Sequence, residues 1–244
     1  MTTQIWAHRG ASDAWPENTL PAFDLARELG ADGVELDVHR SADGVLVVCH
    51  DETIDRTSTG SGRIVDLSYA QIAQADAGGD WGVGVRIPRL ADVFDLLKSS
   101  DLVVDVELKT DKEPYPGMAE QVADLVDQMS MSERVVISSF NHDSLRELSD
   151  AGCRLPLGYL YAWPVPDAWE AAKHVGASAI HPMHTLVDAH VVARCHEVRM
   201  AVRPWTCDTE DEILRPLALG VDAIITNHPE LGLRLRERET PLPA

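Results

Sequence analysis

The chain alternates short apolar runs with amphipathic stretches along most of its length. Runs of β-branched and apolar residues predict strands, and stretches with an apolar residue every three to four positions predict helices. Leaving aside one run at 45–49, we count eight strands, each followed by a helix or an equivalent segment. The predicted strands are 4–7, 32–38, 102–109, 134–139, 155–161, 178–181, 199–206 and 221–226. The predicted helices are 19–30, 89–99, 117–129, 142–151, 167–175, 187–196 and 209–219.

Eight βα units in succession predict an α/β fold, the closed parallel (β/α)8 or TIM barrel. An open doubly wound sheet is the competing fold, but no GxGxxG or Walker loop follows any of the strands. The length of 244 residues is normal for one such barrel. We therefore expect a single barrel domain over residues 1–244.

The regular alternation is interrupted after the second predicted strand. A four-residue turn, 41–44, separates that strand from the apolar run 45–49, which is too short a link for a parallel crossover. The two strands should therefore form an antiparallel hairpin that brings His50 near Glu35. Residues 51–88 are rich in Gly, Ser, Thr and Asp, with one helical stretch at 67–77, and are too long for an ordinary connection. We expect this segment to be a small inserted cap over the strand ends.

Charge and composition restrict the partners. A formal net charge of −19 disfavours nucleic acid and anionic membrane surfaces. No apolar run approaches the roughly 18 residues of a membrane span, and the N-terminus has no basic flank followed by an apolar segment, which predicts a cytoplasmic protein. The four cysteines show no CxxC spacing, so a zinc ribbon is disfavoured and free thiols are expected.

Acidic residues stand at the carboxyl ends of predicted strands, where barrels carry their chemistry. Glu35 and Asp37 are two positions apart and so share one face of a strand, and Glu107 ends a later strand. Three carboxylates without cysteine or a close histidine pair favour Mg²⁺ or Ca²⁺ over zinc. The sequence therefore predicts one divalent cation on these three residues, able to neutralise charge on a phosphoryl group.

Two histidines stand at strand ends of the same half of the chain. His8 follows the first strand and His50 follows the run 45–49. An imidazole titrates near neutrality, so such a pair can act as acid and base within one reaction cycle. Asp51 could orient the local structure, although strict strand alternation would send it to the opposite face.

Cationic and aromatic residues complete the candidate site. Lys109 shares a strand face with Glu107 and can pair with a phosphate oxygen. Arg9 can offer a bidentate fork to phosphate if it turns inward, which alternation from His8 disfavours. Trp205 ends another strand, where it is either a core residue or a rim aromatic that contacts the alcohol of the substrate. The other polar or aromatic strand-end residues are Ser139, Tyr161, His181 and Asn227, of which His181 is either a packing residue or part of the pocket.

Motifs that contain these residues occur in a fixed order. They are HRGA (8–11), PENTLPAF (16–23), GADGVELDVHRSADGVLVVCHD (30–51), DRTSTGSG (55–62), ELK (107–109), SSF (138–140), WT (205–206) and ITN (225–227). Through them the chain resembles the glycerophosphodiester phosphodiesterase family over nearly its whole length. Two departures from the family pattern are Cys207-Asp208 after WT and Asn227 at the end of the last strand, where the family often has Asp.

The resemblance implies a TIM barrel with a short insertion after the HD motif and a definite set of site residues. These are a divalent cation, Mg²⁺ or Ca²⁺, on Glu35, Asp37 and Glu107, an acid/base pair of His8 and His50, phosphate-binding Arg9 and Lys109, and a pocket tryptophan, Trp205. The implied reaction converts a glycerophosphodiester, such as glycerophosphocholine or glycerophosphoethanolamine, and water to sn-glycerol 3-phosphate and an alcohol. The glycerol 2-hydroxyl can attack phosphorus first, giving a cyclic phosphate that water opens.

Two alternative functions remain open. One is an enzyme of the lysophospholipase D or sphingomyelinase D kind acting on lysophospholipids; the insertion and the Glu107-x-Lys109 motif disfavour it, and only the segment 157–166 could contact a lipid chain. The other is a non-catalytic binding protein that keeps the metal site, which the two intact histidines disfavour.

Overall fold

The structure, a computed structural model, describes residues 2–82 and 84–239. Its strands in chain order are β1 (Gln4–His8), β2 (Gly33–Arg40), β3 (Leu46–Val48), β4 (Val103–Leu108), β5 (Val135–Ser139), β6 (Leu157–Tyr161), β7 (Ala179–Pro182), β8 (Ala201–Val202) and β9 (Ala223–Thr226). Without β3, neighbouring strands are parallel in the order β8-β7-β6-β5-β4-β2-β1-β9. Backbone hydrogen bonds from Asp222 to Val202 and from Ile225 to Pro204 join β9 to the β8 segment. The predicted TIM barrel is confirmed.

Helices alternate with the barrel strands, apart from one short helix within the segment 51–88. They are α1 (Leu20–Leu29), α2 (Tyr69–Ile72), α3 (Leu90–Leu97), α4 (Met118–Gln128), α5 (His142–Asp150), α6 (Ala168–His174), α7 (Ala189–Glu197), α8 (Glu210–Leu219) and α9 (Pro229–Glu239). The sequence did not predict α9. Within residues 2–82 and 84–239, no helix has the length and apolar character needed to cross a membrane. The cytoplasmic location stays a prediction.

The apolar residues divide between two sides of the barrel wall. Outward-facing strand residues such as Leu36, Val104 and Ile137 pack against the helices and form the largest apolar cluster. Inward-facing Trp6 and Ile225 belong to a smaller cluster within the barrel. Since parallel strands of a barrel place all their carboxyl ends at one rim, this packing holds the polar strand-end residues on a rigid support.

The hairpin and the insertion together form a small unit beside the barrel mouth. β3 runs antiparallel to β2, with Val38 opposite Val48, as the sequence predicted. The segment 51–88 has its own apolar cluster, packed on the hairpin: Val47, Cys49, Ile54, Ile64, Ile72, Ala75, Ala77 and Ile87. The sequence predicted that the segment 51–88 is an insertion within a single domain, and we propose the same assignment here.

The helix of the insertion is shorter than predicted. The pattern at 67–77 predicts about three turns, but α2 ends after four residues. The chain beyond it pairs elsewhere, because Thr59 N donates to Asp76 O at 3.0 Å and Ala77 N donates to Val85 O at 2.6 Å. These hydrogen bonds replace those that a longer helix would make.

Gly10 is required where the chain turns from β1 towards α1. Its φ is +83°, and an added Cβ would lie 2.7 Å from the carbonyl carbon of Ala22. We expect Gly10→Ala to lower the free energy of unfolding by about 2 kcal/mol or more, because left-handed strain and steric overlap add. Urea denaturation measures this, with Gly44→Ala as control, since Gly44 has φ +84° but nothing within 4 Å. Equal losses in both variants would show that the close approach to Ala22 costs nothing.

Candidate active site

The carboxyl ends of the barrel strands surround one small cavity of about 230 Å³. Its lining contains seven of the eight residues predicted for the site, and Asp37 lies next to Glu35 in the carboxylate cluster described below. The full lining is His8, Arg9, Glu35, His50, Asp105, Glu107, Lys109, Ser138, Phe140, Leu160, Trp205 and Ile225. Three larger clefts, of about 610, 550 and 370 Å³, contain none of the predicted site residues.

Three buried carboxylates form the floor of the site. Asp37 and Glu107 are direct neighbours across β2 and β4, and with Glu35 they offer oxygens that all lie within 4.8 Å of one another. Within residues 2–82 and 84–239, the buried Asp37 Oδ1 has no hydrogen-bond partner. Buried polar atoms are normally paired, and a compact all-oxygen donor set is what a hard divalent cation binds. The residues therefore fit Mg²⁺ or Ca²⁺.

The three carboxylates differ in their affinity for protons. Burial, Asp37 and Glu107 raise the pKa of Glu35 well above its usual range. Burial also raises the pKa of Glu107 to about 7, although the Lys109 ammonium lies 2.7 Å away and opposes this shift. Burial acts in the same direction on Asp37, but Arg9 and Lys109 outweigh it and lower the pKa of that carboxyl. A cation bound here would take the place of protons on Glu35 and Glu107.

Cation affinity should consequently depend on pH around neutrality. Below its pKa of about 7, Glu107 holds a proton that must leave before the carboxylate can bind a cation. We expect the apparent affinity for Ca²⁺ or Mg²⁺ to rise about tenfold from pH 6 to pH 8, with proton release upon binding that diminishes over the same interval. Calorimetric titration in buffers of different ionisation enthalpy measures both quantities. A pH-independent affinity would contradict this description of the floor.

His8 is held as a neutral imidazole, with Nε2 3.8 Å from Glu35 Oε2. Its Nδ1 lies 2.7 Å from Asn227 Oδ1, and Asn227 Nδ2 donates to Asp208 Oδ2 at 2.7 Å, which orients the amide oxygen towards the histidine. His8 Nδ1 therefore carries the proton. Burial and the neighbouring Arg9 guanidinium lower the pKa of His8 to about 4. The two departures from the family pattern, Asp208 and Asn227, thus lie in contact and act on the same histidine.

His50 has a carboxylate partner instead of an amide. Its Nδ1 lies 2.6 Å from Asp51 Oδ1. Strand alternation does not apply to Asp51, because β3 already ends at Val48 and the chain bends from residue 50 onward. Hydrogen bonds from Arg56 and His50 lower the pKa of Asp51 to about 2, so the carboxylate stays ionised and can accept a hydrogen bond from His50 Nδ1.

Arg9 and Lys109 bring two cations to the carboxylates. Arg9 turns inward because its φ of +57° breaks the strand alternation that disfavoured this position. Its Nε lies 3.2 Å from Asp37 Oδ2, while Lys109 Nζ lies 3.5 Å from Asp37 Oδ1 and 2.7 Å from Glu107 Oε1. Both side chains are largely buried and line the cavity. They neutralise part of the acidic floor.

Trp205 and Phe140 form an apolar wall of the cavity. Their rings meet edge to face, with centroids 5.5 Å apart. Trp205 Nε1 already donates to the backbone oxygen of His181 at 2.8 Å. Trp205 therefore offers its ring, and not its N–H group, to a ligand.

The remaining strand-end residues lie outside the cavity lining. Ser139 and Tyr161 are buried, and their predecessors Ser138 and Leu160 line the cavity instead. His181 is fully buried within the barrel, with Nδ1 3.2 Å from Asp105 Oδ2 and Nε2 3.2 Å from Arg203 Nη1. This position agrees with the interpretation of His181 as a packing residue and not with its interpretation as part of the pocket.

Sequence reasoning missed several residues of the site. Asn18 donates to Asp37 Oδ2 at 2.8 Å and thereby fixes one of the carboxylates. Asp105 lines the cavity two positions before Glu107, and the same alternation that paired Glu107 with Lys109 could have identified it. Apolar lining residues such as Leu160 and Ile225 look like any other core residue in the sequence.

Residues 8–231 match the model of the glycerophosphoryl diester phosphodiesterase family. The chain belongs to this family. A glycerophosphodiester phosphodiesterase from Caldanaerobacter subterraneus subsp. tengcongensis is 41% identical over 238 residues, which cover 96% of this chain and 98% of that protein. Another, from Bacillus altitudinis, is 34% identical over 241 residues, or 96% of this chain and 98% of that protein. The chain is therefore an enzyme of the phosphoric diester hydrolase class.

Solved structures of the family have the same fold. An Oleispira antarctica phosphodiesterase in complex with the product sn-glycerol-3-phosphate superimposes with a TM-score of 0.85 at 27% identity, covering 97% of both chains. A glycerophosphodiester phosphodiesterase from Agrobacterium tumefaciens gives a TM-score of 0.81 at 30% identity, covering 95% of this chain and 99% of that chain.

Proposed function

We propose that the enzyme hydrolyses glycerophosphodiesters to sn-glycerol 3-phosphate and an alcohol, with one divalent cation and histidine acid/base catalysis. The observation that carries the proposal is the meeting of three buried carboxylates with two differently partnered histidines in one cavity of about 230 Å³. The product bound to the Oleispira antarctica relative supports the choice of substrate class.

Glu35, Asp37 and Glu107 are the residues that would hold the cation. Bound there, Mg²⁺ or Ca²⁺ supplies neutralising charge for the phosphoryl oxygens. With their negative partners so neutralised, Arg9 and Lys109 are placed to bind phosphate oxygens, Arg9 through its fork and Lys109 as a point charge.

The two histidines take opposite roles in this proposal. His8 is neutral and removes the proton of the nucleophile, either water or the glycerol 2-hydroxyl, through Nε2. The nucleophile forms its bond to phosphorus as the bond to the alcohol oxygen breaks, and His50 gives its proton to that oxygen. His50 is also the more exposed of the pair, 32% against 15%, which suits a leaving group that departs into solvent. Opening of a cyclic phosphate would use the same groups in exchanged roles.

The size of the cavity favours a small polar substrate. About 230 Å³ is less than the roughly 300–1,000 Å³ of pockets for drug-sized ligands. Trp205 and Phe140 can contact the carbon atoms of the substrate, and the charged floor faces its phosphate. Within the described residues, Trp81 and Trp163 are the large apolar side chains exposed to solvent. Of these two, only Trp163 lies in the segment 157–166, so this segment exposes one large apolar side chain that an acyl chain could contact.

A substrate comparison tests the proposal. Wild-type enzyme with Mg²⁺ or Ca²⁺ is incubated with glycerophosphocholine, glycerophosphoethanolamine or lysophosphatidylcholine, and released sn-glycerol 3-phosphate and lysophosphatidate are quantified. We expect the two glycerophosphodiesters to be hydrolysed with the larger kcat/KM. Hydrolysis of lysophosphatidylcholine alone would overturn the substrate class in favour of a lysophospholipase D, and no hydrolysis of any substrate would favour a non-catalytic binding protein.

A further inference from the structure

We propose that Arg56, in the insertion, is a positioning residue that holds both His50 and Arg9 through two intermediate carboxylates. The proposal rests on the proposed function, since it assigns Arg56 to the two residues that protonate the leaving group and bind phosphate. Arg56 does not line the cavity between the strand ends. Its effect on the reaction would therefore pass entirely through Asp51 and Glu17.

The first branch leads from Arg56 to His50. Arg56 Nε donates to Asp51 Oδ2 at 2.6 Å, and Nη2 donates to Asp51 Oδ1 at 3.2 Å. Asp51 Oδ1 in turn lies 2.6 Å from His50 Nδ1. Asp51 stands beyond the end of β3, where no strand ladder fixes its side chain. The bidentate pair with Arg56 supplies that restraint and, through Asp51, sets the direction of the His50 ring.

The second branch leads from Arg56 to Arg9. Arg56 Nη1 and Nη2 donate to Glu17 Oε2 and Oε1 at 3.0 and 2.7 Å, a second bidentate pair. Glu17 Oε1 also accepts from Arg9 Nη1 at 2.9 Å. Arg9 has a left-handed backbone, so its inward direction depends on side-chain contacts and not on the strand. Glu17 holds one end of its guanidinium while Asp37 contacts the other.

Only arginine can make both contacts at once. A guanidinium has five donors in a rigid plane and can fork to two carboxylates, whereas an ammonium is a point charge. Glu17 comes from the link before α1, whereas Asp51 and Arg56 both come from the start of the insertion, directly after the hairpin. The insertion therefore contributes to catalysis, because its Arg56 links His50, the proposed acid, to Arg9, the proposed phosphate-binding residue.

The variants Arg56→Gln and Arg56→Lys test the proposal against Arg63→Gln. Arg63 is the matched control, because it is also in the insertion, is similarly exposed, and pairs with Glu113 and Asp66 away from the cavity. With glycerophosphocholine we expect Arg56→Gln to lower kcat by about 10- to 100-fold, since small displacements of a catalytic group have effects of that size. We also expect it to weaken glycerol 3-phosphate binding about tenfold. Arg56→Lys should recover part of each loss, and Arg63→Gln should resemble wild type.

Variants of the two intermediates separate positioning from a merely structural role. We expect Asp51→Asn to lower kcat with little change in the Kd of glycerol 3-phosphate, and Glu17→Gln to raise that Kd with a smaller effect on kcat. Adding Arg56→Gln to the double variant Asp51→Asn/Glu17→Gln should cause no further loss, since residues acting through one network are not additive. A purely structural residue would lower Tm and the folded fraction without this division between kcat and Kd.

A readout independent of turnover keeps this inference separate from the proposed function. The NMR resonance of the His50 Nδ1 proton, assigned with a His50→Ala variant, should shift or exchange faster in Arg56→Gln while Arg63→Gln leaves it unchanged. If wild type fails to hydrolyse glycerophosphodiesters, the proposed function is wrong, and this resonance still decides whether Arg56 positions His50. An unchanged resonance, or a folded Arg56→Gln variant with wild-type kcat and Kd, would overturn the inference.

Discussion

Replacing His50 with alanine should lower kcat on glycerophosphocholine by about 10²- to 10⁴-fold, the usual contribution of a general acid or base. Choline leaves as a strongly basic alkoxide that needs a proton, and the proposed donor is His50, whose ring is held through Nδ1 by the Asp51 carboxylate 2.6 Å away. A substrate whose alcohol is 4-nitrophenol needs no such proton. We therefore expect His50→Ala to lose far less activity on glycerophospho-4-nitrophenol than on glycerophosphocholine.

His8→Ala provides the contrast. As the base it should be required for both substrates, because the nucleophile must lose its proton whichever group leaves. The surface variant His174→Ala controls for the loss of an imidazole elsewhere, since His174 is exposed at the end of α6. Equal losses of His50→Ala on both substrates would contradict its role as the acid, and full activity of His50→Ala would remove it from the mechanism.

Replacing Glu35 with glutamine should have two opposite effects. Glu35 lies beside Asp37 and Glu107, and this crowding together with burial raises its pKa well above the usual range. A carboxyl whose folded pKa is raised contributes stability at low pH that is lost as pH rises through the folded value. Once the pH exceeds that folded value, the ionised Glu35 lowers the stability of the wild-type apoprotein, and glutamine removes this cost.

The gain in stability comes with the loss of a ligand. We expect Glu35→Gln, in chelator at pH 8, to unfold at a higher urea concentration than wild type, while its affinity for Ca²⁺ or Mg²⁺ falls by at least about 100-fold. Glu28→Gln is the control, because Glu28 is exposed on α1 and far from any predicted role. A variant that binds the cation normally, or one less stable than the wild-type apoprotein, would contradict the account of the carboxylate floor.

The elements of the barrel could be predicted because strand and helix periods differ and because one βα unit follows another. The hairpin was equally predictable, since four residues cannot make a parallel crossover. The shortness of α2 could not be predicted, because tertiary hydrogen bonds such as that from Ala77 to Val85 decide where the insertion turns. The C-terminal helix α9 was missed because the strand and helix assignment stopped at the last predicted strand.

Site residues within regular strands could be predicted from strand alternation. Site residues whose backbone departs from strand geometry, beyond the ends of the strands, could not. Glu35, Asp37 and Glu107 converge as an i, i+2 pattern on neighbouring strands requires. Strand alternation does not predict the direction of Arg9, because its backbone has a left-handed φ. It does not predict the direction of Asp51 either, because β3 has already ended. Contacts between distant segments, such as Asn227 with His8, have no local signal in one sequence.

In the proposed reaction, the enzyme hydrolyses a glycerophosphodiester in the cavity at the strand ends, with a divalent cation held by the three carboxylates. ³¹P NMR of wild-type enzyme with glycerophosphocholine follows this directly, first with Ca²⁺ or Mg²⁺, then after chelator, then after the cation is restored. We expect the glycerol 3-phosphate signal to grow, stop and grow again, with kcat at least about 10²-fold lower in chelator. Continued hydrolysis in chelator, or no glycerol 3-phosphate with either cation, would contradict the account.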